Sequence, residues 1–122
     1  MSKRLGKTLK KQVSDKSSEV LALIEEARTG GATTLDLSNK YLTVLPEMIG
    51  QLTELEELHL DDNQLIELPE IVGQLIKLRS LYLDENQLTE LPAWLRNLKL
   101  LKQLYLHGNT GLGLPVELLG PT

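Results

Sequence analysis

The chain of 122 residues is the length of one domain, and a core of that size leaves little margin of stability. About a quarter of the residues are leucine, phenylalanine is absent and aromatics make up 3%, so the apolar content comes almost wholly from one side-chain shape, as in a repeat rather than a mixed core. With no cysteine, a disulfide framework, a thiolate metal site and a cysteine nucleophile are all excluded, and a cytoplasmic setting is expected. The net charge of −4 is unevenly spread: Lys3, Arg4, Lys7, Lys10, Lys11 and Lys16 against Asp15 give the first 16 residues +5 and leave −9 on the remainder.

Residues 1–16 read as a basic tail. Charge alone would attract it to nucleic acid or an anionic membrane surface. It has no aromatic residue for base stacking and is not followed by an apolar run long enough for a leader or a membrane span. The expected role is a solubilising tail, with no specific nucleic-acid partner and no membrane insertion. Residues 17–31 then place Val20, Leu21, Leu23, Ile24 and Ala27 on one helical stripe, starting after Ser17-Ser18 with Glu19 and stopping at Gly30-Gly31. The polar side of that stripe carries Glu19, Glu25 and Glu26, which argues against a membrane-surface helix and for a cap on the rest of the chain.

From residue 32 to 122 the chain repeats. Pro46, Pro69, Pro92 and Pro115 are 23 residues apart and each follows a leucine, and the same period stacks Leu35, Leu58, Leu81 and Leu104 in one column and Leu37, Leu60, Leu83 and Leu106 in the next. Leucine alternating with polar residues is the period of a strand buried on one face. Each unit turns at Asn63, Asn86 or Asn109, a residue type whose amide can satisfy nearby backbone groups. After each leucine-proline pair the apolar spacing lengthens, as in Leu68, Val72, Leu75 and Leu78, which suits a short helical or 3₁₀ return. One such unit cannot stand alone. Its buried aliphatics supply about 1.5–3 kcal/mol each, against about 1.5 kcal/mol per residue for ordering the chain, so stability must come from stacking neighbours.

The units from Leu55 to Leu101 resemble two complete leucine-rich repeats of the intracellular leucine-proline type, with variant copies on either side. The resemblance implies an α/β architecture: a right-handed leucine-rich-repeat solenoid of about four repeats, a short parallel sheet on its concave face and an N-terminal capping helix. It also implies that the concave face binds proteins. The phrases Ile24-Glu-Glu-Ala27, Ala32-Thr-Thr-Leu-Asp-Leu-Ser38 and Leu104-Tyr-Leu-His-Gly-Asn109 resemble the leucine-rich region of bacterial Roco proteins, in which the repeats precede a Ras-like GTPase domain. The phosphate loop of such a domain is absent from this sequence, so nucleotide hydrolysis is not implied. Two positions depart from the pattern. Lys40 stands in the asparagine column, which predicts a first turn without its amide contact, and Gly111 stands in the column of Leu65 and Leu88, with Leu112 shifted by one, which predicts a reshaped last turn.

Beside the buried leucines the same alignment lays out a polar face. Thr34, Glu57, Ser80 and Gln103 form one column, Asp36, His59, Tyr82 and Tyr105 the central one, and Ser38, Asp61, Asp84 and His107 the next, flanked by Asn39, Asp62, Glu85 and Gly108. Carboxylates about one strand spacing apart repel, and tolerating that cost beside tyrosines points to a binding surface for a protein with a basic face. The candidate partner-binding residues are Glu57, His59, Asp61, Tyr82, Asp84, Tyr105 and His107. His59 and His107 fall two repeats apart in different columns, which argues against a shared ion, and Asp61-Asp62-Asn63 lacks the glycine and distal glutamate of a calcium loop. No cofactor, metal or catalytic residue is expected, and the chain reads as a binding module rather than an enzyme. Beyond Leu118-Leu119 nothing resembles a cap, so the last coil is expected to offer bare leucines, a surface for self-association or for a following domain.

Overall fold

The computed structural model describes residues 16–115 and 118–120. The basic tail proper therefore lies outside the described residues, apart from Lys16. One helix, α1 (Ser17–Gly30), leads into four three-residue strands: β1 (Thr34–Asp36), β2 (Glu57–His59), β3 (Ser80–Tyr82) and β4 (Gln103–Tyr105). They form a single parallel sheet in chain order. Between strands the chain returns through 3₁₀ turns at Glu47–Gln51, Glu70–Gln74 and Ala93–Asn97.

The register is the sequence period made physical. Leu35 pairs with Leu58, Leu58 with Leu81 and Leu81 with Leu104, each offset by one repeat. The leucines of the inner coils, Leu55, Leu58, Leu60, Leu65, Leu75, Leu78, Leu81, Leu83 and Leu88, are completely buried. Leu101, Leu104 and Leu112 of the last coil are only partly so. Each return starts the same way. Pro46, Pro69 and Pro92 sit at its N-terminal boundary with φ between −64° and −70°, a value the pyrrolidine ring imposes, at a place where the missing N–H deprives no helix of a bond. The returns stack closely because Gly50 and Gly73 leave room for Ile71 and Trp94 of the following coil. A Cβ on Gly73 would stand 3.3 Å from the Trp94 ring, so that indole is a packing element.

Helix α1 caps the first coil by burying Val20, Ile24 and Ala27, while Leu23 packs at the margin and Leu21 is exposed. Its start differs from the expected one. Ser17 and Ser18 lie within the first turn and Lys16 occupies the boundary, its backbone N–H donating to the Lys40 carbonyl at 3.2 Å. The chain is thus anchored to the first repeat's turn before the helix begins, and this tertiary bond moves the boundary ahead of the serines. The stop is as expected: Gly31 at φ +60° takes the left-handed conformation, and the next N–H, of Ala32, reaches back to Ala27 O at 3.0 Å.

The last coil corrects the expectation of a bare edge. Leu106 N–H donates to Leu119 O at 2.8 Å, bringing residues 118–120 back beside β4 and packing Leu119 against the core. Gly120 passes so close that a Cβ there would fall 2.0 Å from Leu104 O. The cover is partial, since Leu118 stays exposed and Leu101 and Leu104 are only partly buried. The turn around Gly111 is reshaped as the sequence implies, into a 3₁₀ turn over Thr110–Leu112 that tucks Leu112 toward the core.

Candidate protein-binding face

Because β2, β3 and β4 pair in register, the central column becomes a stack of rings. His59 and Tyr82 lie 4.1 Å apart by ring centroids and 8° from parallel, and Tyr82 and Tyr105 are 4.2 Å apart and 7° from parallel. The strand spacing of about 4.8 Å is close to the separation at which aromatic faces attract, so the ladder spacing and the ring contact reinforce one another. Asp36, opposite His59 on β1, continues the column without a ring. Its carboxylate accepts from the Ser38 hydroxyl at 2.6 Å and the Ser38 N–H at 2.9 Å, contacts that hold it below the usual carboxylate range.

Carboxylates flank the stack. Glu57 Oε1 lies 2.7 Å from His59 Nε2, and Asp61 Oδ1 lies 4.0 Å from His59 Nδ1. Asp61 and Asp84 follow β2 and β3 by two residues, and their Oδ1 atoms are shielded from solvent while receiving no hydrogen bond within the described residues. Burial first, then neighbouring acids, pushes both above the ordinary aspartate value: Asp62 acts on Asp61, and Asp61 on Asp84. The Tyr82 phenol is likewise raised, chiefly by the Tyr105 hydroxyl. Six of the seven candidate residues, Glu57, His59, Asp61, Tyr82, Asp84 and Tyr105, therefore form one contiguous surface. His107 adjoins this surface through Asp84, on which its backbone and charge act, but its Nε2 lies 2.8 Å from Gly120 O, engaged with the returning C-terminal segment. Among the described residues no group of three or more acidic and histidine side chains is arranged to hold a metal ion.

The turns beside this face are held by the asparagines. Asn63 Oδ1 accepts from Lys40 N at 3.0 Å and Leu42 N at 2.9 Å, while its Nδ2 donates to Leu37 O and Leu60 O, both at 3.0 Å. Asn86 and Asn109 repeat the motif one and two coils on. Each amide thus braces the turn of the preceding coil, a direction that the sequence pattern does not carry. The expectation that the first turn lacks an amide contact is therefore corrected: Asn63 of the next coil supplies it, while Lys40 Nζ reaches Glu19 of α1 at 3.2 Å, tying cap to turn. A second feature was not legible as such. Asn39, Asp62 and Glu85 all have φ near +57°, followed in the same column by Gly108 at +87°, so four successive turns demand the left-handed region. Asn39, Asp62 and Gly108, residue types enriched in that region, are the signal of it in the sequence, and Glu85 is the exception.

The comparisons with known proteins agree with this geometry. A family model described as a leucine-rich repeat region matches residues 34–113. A search of curated proteins finds no match. Among solved structures, a leucine-rich-repeat protein of Leptospira interrogans is similar over 62% of this chain and 19% of its own, with 46% identity and a TM-score of 0.61. The leucine-rich-repeat domain of a Shigella effector is similar over 66% of this chain and 34% of its own, with 28% identity and a TM-score of 0.58. This chain accordingly spans a fifth to a third of those relatives. With leucine columns in register, asparagine-braced turns and a family model running from the first strand past the last, the chain belongs to the leucine-rich-repeat family.

Proposed function

We propose that this chain is a non-catalytic protein-binding module whose concave sheet face takes a partner presenting arginine or lysine. The observation that carries the reading is the His59, Tyr82 and Tyr105 ring stack set against Asp61 and Asp84, whose Oδ1 atoms are shielded from solvent and accept no hydrogen bond among the described residues. Shielded carboxylates offer a cation charge-assisted hydrogen bonds, and the tyrosines beside them offer rigid contact area and a hydroxyl each. Family membership supports it too, since leucine-rich-repeat domains commonly serve protein interaction.

The test is binding of a labelled arginine-rich peptide to the intact chain, with Tyr82→Ala/Tyr105→Ala and Asp61→Asn/Asp84→Asn as variants. Binding should weaken at least tenfold in each variant and fall as salt rises from about 50 to 200 mM, while circular dichroism shows both variants folded at the assay temperature. Peptide affinity indifferent to both variants would move the site elsewhere. A second reading is favoured by the exposure of Leu118 and the incomplete burial of Leu101 and Leu104 at the C-terminal edge: this edge packs against further protein, as in the Roco-like arrangement of repeats before another domain. Extending the chain along its gene and finding those leucines still exposed to solvent would dismiss it.

A further inference from the structure

We propose that the basic N-terminal segment, residues 1–15, lies across the acidic end of the sheet face in its own chain and holds that face until a partner displaces it. The proposal rests on the reading of that face as a binding surface and adds its regulation.

The place where the segment joins the fold is the first support. Lys16 N–H donates to Lys40 O at 3.2 Å, Lys40 N–H donates to Asn63 Oδ1 at 3.0 Å, and Asn39 N–H donates to Asp61 O at 3.1 Å. Residue 16 therefore enters at the C-terminal ends of the strands, beside the turns that carry Asp61, Asp62, Asp84 and Glu85, and one strand along from the first two of these acids. Reach is ample. Fifteen residues extend up to about 50 Å, whereas the whole four-stranded sheet is about 14 Å across.

Charge is the second support. Lys3, Arg4, Lys7, Lys10 and Lys11 precede any acid in the chain. The face at this end presents Asp36, Asp61, Asp62, Asp84 and Glu85, and the one lysine in these turns, Lys40, is paired with Glu19. The other nearby cations, Lys77, Arg79 and Lys102, fall before the strands, and the first two sit against Glu54 and Glu56. Positive charge therefore meets the acidic end from one direction, that of the segment. Tethering supplies the rest. A segment joined this close has an effective concentration in the millimolar range, so a contact that holds a separate peptide at roughly tens to hundreds of micromolar keeps the face occupied within the chain.

The experiment titrates a labelled peptide of residues 1–15 into the intact chain and into the full-length variant K3Q/R4Q/K7Q/K10Q/K11Q. The neutralised chain should bind the peptide at least tenfold more tightly than wild type, the difference should vanish at high salt, and Asp61→Asn/Asp84→Asn in the neutralised background should abolish binding. Equal affinities for the two chains would overturn the inference and leave the binding face standing. Absence of binding to either, with the arginine-rich peptide still bound, would overturn the inference alone, and loss of both peptides would overturn the binding face as well. Peptide binding that survives the Asp61→Asn/Asp84→Asn change would overturn the placement. Carbodiimide coupling of an equal mixture of ¹⁵N-labelled and unlabelled chains should join Lys7, Lys10 or Lys11 to Asp61, Asp62, Asp84 or Glu85 within one chain. Links found solely between differently labelled chains would overturn it in favour of a second copy. Wild-type chain that sediments with phosphatidylserine vesicles, together with equal peptide affinities, would overturn it in favour of a lipid surface.

Discussion

Replacing Asn63 by alanine should cost more stability than any surface change on this chain. The side chain is 7% exposed and serves two coils: its oxygen takes the N–H groups of Lys40 and Leu42, and its nitrogen serves Leu37 O and Leu60 O. Leu60 O keeps a second donor in Asn86 Nδ2 at 2.9 Å, so its loss is partial. The N–H of Leu42 is buried and that of Lys40 part-buried. An orphaned buried donor costs about 1–3 kcal/mol, and the part-exposed one recovers some of that from water. The sum is about 3–4 kcal/mol, a large share of the roughly 5–15 kcal/mol typical of a domain. In urea, with a slope of about 1–3 kcal/mol per molar, the midpoint should fall by at least 1 M. The single tryptophan, Trp94, packed on the third return, reports the transition by fluorescence. Asn63→Asp should be no better, because it keeps the acceptor while setting a carboxylate against two carbonyls. Exposed Gln64→Ala is the control. If Asn63→Ala stays within about 0.5 kcal/mol of wild type, or if Gln64→Ala costs as much, the bracing role of the asparagines is wrong.

Three further outcomes are expected. Glu85→Gly should stabilise by about 0.5 kcal/mol or slightly more, since it relieves a left-handed residue costing about 1–2 kcal/mol and loses about 0.5–1 kcal/mol to chain entropy, while Gly108→Ala should destabilise because its Cβ would meet Glu85 N at 2.9 Å; thermal melts of the two give the signs. Asp84 is raised in the folded state, so its ionisation opposes folding: the cost is absent below the unfolded aspartate pKa and grows as pH rises through the folded one. Asp84→Asn should therefore raise the melting temperature at pH 7 and leave it unchanged near pH 3. A double-mutant cycle on Tyr82 and Tyr105 should return a coupling of about 0.5–1.5 kcal/mol, and a value near zero would mean that the rings stack without attraction.

A repeat exposes most of its fold in its sequence because one spacing serves every coil. The 23-residue recurrence of leucine, asparagine and proline determined the strands, their order, their register and the buried columns, since parallel strands stacked at one repeat per rung can satisfy that pattern in one way. The polar columns followed from the same register, which is why the ring stack involves residues that the sequence had already aligned. Tertiary structure decided what no period encodes. The asparagines brace the coil before their own, because an amide at a turn meets the backbone of whichever neighbour lies within reach. Helix α1 starts at Ser17 because Lys16 is fastened to Lys40, a contact across 24 residues that capping preferences cannot foresee. The His107 ring, aligned with Asp61 and Asp84 in sequence, turns to Gly120 because residues 118–120 come back beside β4, Leu106 N–H donating to Leu119 O. Periodicity determines the interior of a solenoid, where every coil sees the same neighbours; at its ends the neighbours differ, and there only the assembled fold decides.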